Sequence, residues 1–249
     1  MVACPALPAI ARAPLQGVRQ VLRWNRRQYF AAALAVAVAA LVPYPFRLLG
    51  LPALFWTLSS LSVSWLVYDR SPLFRLGWLD ACLPEPPRTW IHLHAGLDET
   101  SHLLAARFPH SRARVLDIFD PREMTEPSIR SARSDQPVLP SQPASWRALP
   151  LPAASTDAAF LIFTAHELRR PASRVALFRE IARVLRPGGT LIIVEHLRDA
   201  ANFLAYGPGF LHFLPARAYH NAADAAGLRI CRRTRITPFV NVFVLRSAR

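Results

Sequence analysis

Two short pairs of titratable residues stand where apolar runs end. His166-Glu167 follows the run Ala158 to Phe163, and Glu195-His196 follows Thr190 to Val194, with Arg198 and Asp199 close behind. An imidazole beside a carboxylate is equipment for moving a proton, so His166-Glu167 reads as a base pair for deprotonating an acceptor. A helix start or a solvated surface pair is the plainer reading of the same residues. Two His-containing pairs at neighbouring run ends are more suggestive than either alone, which makes His166, Glu167 and His196 the candidate catalytic residues. Their spacing matches no metal-ligand motif, and no metal is expected. Cys4, Cys82 and Cys231 stand far apart with no Cys-x-x-Cys. That argues against a zinc site and a disulfide framework, and fits a reducing compartment.

These residues need a scaffold, and the pattern after Thr89 supplies one. Apolar runs alternate with amphipathic stretches, which predicts a parallel sheet covered on both faces. Trp90 to His94 is a candidate first strand, Ala95-Gly96-Leu97-Asp98 a turn, and Glu99 to Phe108 a helix. Arg114 to Phe119 reads as the second strand. Ser131 to Pro152 is rich in Pro and Ser, so any third strand there is short. Ala158 to Phe163 and Thr190 to Val194 are buried strands. Between them Pro171 to Arg186 is a helix with Leu177, Ile181, Val184 and Leu185 on one face, stopped by Pro187-Gly188-Gly189. Leu228 to Thr234 and Phe239 to Leu245 complete the set. His92 and His94, alternating along their strand, are expected to face opposite sides.

Leu149-Pro150-Leu151-Pro152, then Thr156 to Leu161, then Phe178 to His196 with its Leu185-Arg186-Pro187-Gly188-Gly189 turn, resemble class I S-adenosylmethionine-dependent methyltransferases, nearest to the quinone-biosynthesis C-methyltransferase branch. The resemblance covers roughly Trp90 to Leu245. It implies an α/β, Rossmann-like doubly wound, mostly parallel sheet that binds S-adenosylmethionine beyond the carboxyl ends of its strands. It implies that the first turn holds the methionine part and that a carboxylate ending the second strand bonds the ribose hydroxyls. At the first turn the chain departs from the family: His92, His94, Gly96 and Asp98 stand where an acidic residue and paired glycines are usual, and only Gly96 matches. His94, Gly96, Asp98 and Asp117 are the cofactor-binding candidates. Asp98 or Glu99 would receive the methionine ammonium, and Asp120 competes with Asp117 for the ribose.

The N-terminal third lies outside the resemblance. No charge occurs from Gln28 to Phe46 or from Leu48 to Tyr68, and Pro43 and Pro45 break the chain between them. A bilayer core of ~30 Å takes about 20 helical residues, so residues 28–68 read as a two-helix transmembrane hairpin. A buried or interfacial hairpin is the rival, and the apolar part of a signal peptide a weaker one. Arg19, Arg23, Arg26 and Arg27 precede the hairpin and Arg70 and Arg75 follow it, against Arg47 alone in the turn, which places both ends on the cytoplasmic side. Residues 1–27 are then a basic segment, 69–89 an extended Pro-rich linker and 90–249 the methyltransferase-like domain. The net charge is +14, carried by thirty Arg with no Lys. These Arg are scattered, so no nucleic-acid partner is expected.

The apolar, aromatic stretch Asn202 to Pro215 falls where the resemblance puts a substrate-covering insertion. Together these features predict a membrane-anchored methyltransferase acting on a lipophilic small-molecule acceptor, with the bilayer as its other partner. The rivals are a degenerate, non-catalytic methyltransferase fold serving as a scaffold at the membrane, and a methyltransferase of a soluble small molecule.

Overall fold

The structure, a computed structural model, describes residues 12–96, 98–134 and 139–247. Cys4, Leu97 and the first eleven residues of the basic segment lie outside them. The sheet is built from β1 (Thr89–His94), β2 (Arg112–Asp117), β3 (Gln142–Pro143), β4 (Thr156–Ile162), β5 (Leu185–His196), β6 (Leu228–Thr237) and β7 (Val240–Ser247). Their order is β3-β2-β1-β4-β5-β7-β6. β1 to β5 pair in parallel, and β7 runs antiparallel to both β5 and β6. Chain order reverses between β1 and β4, and the carboxyl ends flanking that point form the crevice where doubly wound sheets take ligands.

Period-2 burial explains the two layers. Ile91, Leu93, Leu161 and Ile193 point to one face and pack under α6 (Pro171–Val184) through Leu177, Phe178 and Ile181. Trp90, Phe160, Ile192 and Val194 point to the other, with Leu104 of α4 (Ser101–Arg107) among them. The predicted strands and helix are present with ends shifted, but the helix already ends at Val184, and Pro187-Gly188-Gly189, expected as its stop, lies within β5. The third strand is two residues long, as its Pro-rich surroundings foretold.

The connector differs from the extended linker that its prolines suggested. Leu73–Arg75 and Gly77–Ala81 are short 3₁₀ turns, and Leu73, Leu76, Leu79 and Cys82 are buried in the same cluster as Trp90 and Phe160. Apolar residues every third position match the three-residue turn of a 3₁₀ helix, and they form one stripe. The prolines at 84, 86 and 87 come only after it.

Ahead of the connector lie α1 (Gln16–Trp24), α2 (Arg26–Leu41) and α3 (Gly50–Ser64), the last continuing as a wider turn through Arg70. α2 and α3 form a hairpin with Gly50 against Ala39 and the Tyr29 hydroxyl 3.0 Å from Ser60 Oγ. Among the described residues one helical stretch, Phe46–Arg75, is long and apolar enough to cross a membrane. α2 is 16 residues long, ~24 Å at ~1.5 Å per residue, and does not reach that length. Asp69 caps α1 by accepting from the backbone N–H groups of Gly17 (2.9 Å) and Val18 (3.2 Å).

A buried connector makes a stability prediction. Leu79→Ala should cost about 2–5 kcal/mol in urea unfolding, the usual range for emptying a packed leucine site. An extended linker would lose no more than ~0.5 kcal/mol, as at an ordinary surface position.

Candidate functional site

The first turn is held by the chain itself. His92 and His94 are two residues apart, so they share a face of β1, and their rings lie 6.1 Å apart. The expectation of opposite faces is thus corrected. His92 sits between Ser101 Oγ (2.7 Å) and Thr100 Oγ1 (3.2 Å). Burial lowers it to about 4, against the pull of Asp98, so it is a neutral core histidine at pH 7. His94 donates from Nδ1 to the Gly96 carbonyl at 3.1 Å, and its buried Nε2 has no partner. Asp98 caps α4 by accepting from Thr100 N (3.1 Å) and Ser101 N (2.9 Å), leaving Oδ2 buried without a partner. Glu99 is taken: Arg12 (2.6 Å), Gln20 (2.8 Å) and Gln16 (3.3 Å) all donate to its Oε1. Of the two acids considered for the methionine ammonium, Asp98 alone keeps a buried carboxylate oxygen without a partner.

Asp117 ends β2 opposite His94 in the register, one turn from Gly96. Asp120 lies beyond the strand, where it accepts from Arg122 N at 2.9 Å and from Trp146 Nε1 at 3.4 Å. The position therefore favours Asp117 for the ribose. The donor set suits S-adenosylmethionine: a strand-end carboxylate for two hydroxyls, a glycine for close backbone approach, and two orphaned buried acceptors, His94 Nε2 and Asp98 Oδ2, for an ammonium. The space above the glycine and the carboxylate is filled by Ile129 and Arg133, which no periodicity in the Pro- and Ser-rich stretch announced.

The second cluster joins the ends of β4 and β5. His166 and Glu167 lie on a 3₁₀ turn, Ala165–Glu167, just after β4. His166 donates from its backbone N–H to Glu195 Oε1 (3.2 Å) and from Nδ1 to Glu195 Oε2 (2.7 Å). Its Nε2 faces Glu167 Oε1 at 3.3 Å. Burial works against the charged ring, but the Glu195 charge and the bonds to Glu167 and Glu195 outweigh it and raise His166 to about 10. Glu167 is lowered despite its burial, by the hydrogen bond and charge of His166, and its Oε2 has no partner. His212 closes the group with its ring 5.0 Å from that of His166, and burial first, then the His166 charge, lowers it to about 3.

His196 does not join them. Tyr68 Oη lies 2.8 Å from its Nε2, while Phe239 O (3.0 Å) and Asn202 Oδ1 (3.2 Å) lie at Nδ1. Its ring is stacked between Phe163 and Phe213. Both nitrogens are spent on holding elements together, so the candidate catalytic residue His196 is a structural one. Strand parity explains the exchange: Glu195 shares the face of Ile193, where His166 lies, and His196 shares the opposite face with Val194. Glu195 and His212 are the members that sequence reasoning left out of the site, and for Glu195 the signal was its parity with Ile193.

Residues 96–193 match a family model described as a methyltransferase domain. No curated protein matches the chain. Among solved structures, the mitomycin 7-O-methyltransferase MmcR is similar at 17% identity and TM-score 0.57, covering 96% of this chain and 74% of that one. The Haloferax volcanii complex of the Trm112 methyltransferase activator with a methyltransferase gives 16%, 0.52, and coverage of 78% and 98%. The [4+2]-cyclase SpnF gives 15%, 0.51, and 70% and 80%. At such identities these likenesses speak to the fold alone. The match to a methyltransferase domain spans residues 96–193, from the Gly96 turn into β5, and takes in the strand ends that carry Asp117 and His166.

Proposed function

We propose that this protein is a membrane-anchored methyltransferase acting on a lipophilic small-molecule acceptor, with its catalytic face on the cytoplasmic side. One observation carries the reading: the hairpin and the segment covering the acceptor side are packed as one unit. α7 (Ala200–Tyr206) and the 3₁₀ turn Gly207–His212 form that cover. Trp56 of α3 meets Phe203 with ring centroids 5.6 Å apart and lies over Gly207, where a Cβ would come within 2.6 Å of the indole. Ser59 donates to the Leu204 carbonyl at 3.1 Å. The hairpin's outer surface exposes Phe30, Leu34, Leu41, Leu49, Phe55 and Leu58, an apolar area that water does not favour. An apolar acceptor leaving the bilayer along α3 would meet the cover directly. The quinone-type acceptor suggested by the sequence resemblance fits this route.

In this reading Gly96 and Asp117 hold the cofactor, with His94 and Asp98 beside its methionine end. When bound, the cofactor supplies a methyl group on a positively charged sulfur. The chain's own work is positioning and proton control. Glu167 Oε2 is the free acceptor at the second cluster and orients an acidic hydroxyl or C–H of the acceptor. The proton passes to Glu167 and on from its Oε1 to His166 Nε2, 3.3 Å away, with Glu195 fixing the ring and stabilising the cation formed.

A base with its pKa raised to about 10 is protonated at pH 7 and must lose that proton first. Methyl transfer should therefore rise with pH from neutrality toward about 10. Glu195→Gln removes the main raising charge, so its profile should rise at lower pH. A profile of the same shape in both proteins would remove His166 from the chemistry.

The anchoring is tested by flotation with vesicles of phosphatidylcholine and phosphatidylglycerol. Wild type should float. Leu34→Asp/Leu58→Asp places two charges on the outer hairpin face and should stay at the bottom while keeping its circular dichroism. Wild type that stays soluble without detergent and ignores the vesicles would overturn the anchor.

A further inference from the structure

The segment after β2 carries a feature that neither the proton cluster nor the hairpin uses. α5 (Pro127–Ala132) lies across the first turn, and Arg133 follows it. Arg133 donates from Nη1 to Asp117 Oδ1 (3.0 Å) and from Nη2 to Oδ2 (2.9 Å), a two-bond fork on the candidate ribose carboxylate. The same Nη1 also donates to the Ala95 carbonyl at 3.1 Å, so one guanidinium spans from the ribose carboxylate to the glycine turn. Its plane sits over the Phe119 ring, 4.1 Å from the centroid. Ile129 closes the other half: its Cδ1 lies 2.5 Å from where a Cβ on Gly96 would stand. The opening that a glycine leaves for a ligand holds an isoleucine side chain.

We infer that Arg133 and Ile129 occupy the cofactor's own seat, so that this is a closed form of the domain and S-adenosylmethionine binds by displacing them. The inference rests on Gly96 and Asp117 being that seat. The chemistry of the substitution is close. A guanidinium offers a carboxylate two N–H donors side by side, where a ribose offers two O–H donors. A flat cation over Phe119 covers the ring that a flat base would otherwise cover. The contact is built to be reversible. The side chains of Arg133 and Asp117 are 32% and 17% exposed, and an ion pair so open to water is worth little. α1 packs on α5 and is tied through Gln16 and Gln20 to Glu99 of the same turn, which holds the segment in register over the site.

A ligand that binds only the open form has its affinity reduced by the fraction of molecules that are open. Removing the plug should restore that fraction. The test is calorimetry with S-adenosylmethionine and S-adenosylhomocysteine on the full chain in detergent, for wild type, Arg133→Ala and Arg133→Gln. Both variants should bind about fivefold tighter or more, the factor that corresponds to about 1 kcal/mol. Arg133→Gln keeps most of the side-chain volume and guards against a folding defect in the alanine variant. Amide exchange across 127–134 in wild type should rise when the cofactor is added. Unchanged or weaker binding in both variants, with wild type binding, overturns the plug and leaves the seat. No binding by any of the three at millimolar ligand overturns the plug and the seat together.

Discussion

β4 is buried on both faces, and that constraint arranges everything else. From Ala158 to Leu161 its side chains have no exposure, one layer meeting α6 and the other the connector and α4. A strand enclosed in this way offers no place for a charge along its length, because an unpaired buried charge is too costly. Polar chemistry is pushed to the strand ends. His94, Asp117, His166 and Glu195 all stand at or just past the carboxyl ends of β1, β2, β4 and β5. The scaffold thus gathers these four groups at one edge, at the point where chain order reverses.

Two kinds of polar group result. Some are satisfied within the chain: His92 by Ser101 and Thr100, His196 by Tyr68 and Phe239, Glu99 by α1. Others keep an unshared atom: His94 Nε2, Asp98 Oδ2 and Glu167 Oε2. The second kind is buried between the first turn and the β4 end. The Tyr68–His196 contact joins the hairpin's last turn to β5, next to Glu195.

Much of the fold was legible because period-2 apolar runs and the amphipathic pattern before Val184 are local signals. That an acidic residue would end the second strand was legible, and Asp117 ends β2 opposite His94. What escaped were facts of tertiary placement. The 3₁₀ stripe Leu73, Leu76, Leu79, Cys82 was hidden by the prolines that follow it. His92 and His94 were misassigned to opposite faces, though a separation of two puts them on one. Glu195, rather than His196, pairs with His166 because parity along β5 decides which side chain faces the β4 turn. Arg133 carries no local mark, since one arginine among thirty acquires meaning only from the carboxylate it meets.

The central claim is that Asp117, at the end of β2, is the carboxylate that receives the cofactor. In wild type that residue has a competing partner, so the cleaner background is Arg133→Ala, where beside the Phe119 backbone N–H only a ligand would bond it. Calorimetric titration of S-adenosylhomocysteine into Arg133→Ala and into Arg133→Ala/Asp117→Ala isolates the contact. Two charge-assisted bonds to ribose hydroxyls predict a loss of roughly tenfold to a hundredfold or more in the double variant. Equal affinity in the two proteins would contradict the assignment of the cofactor seat.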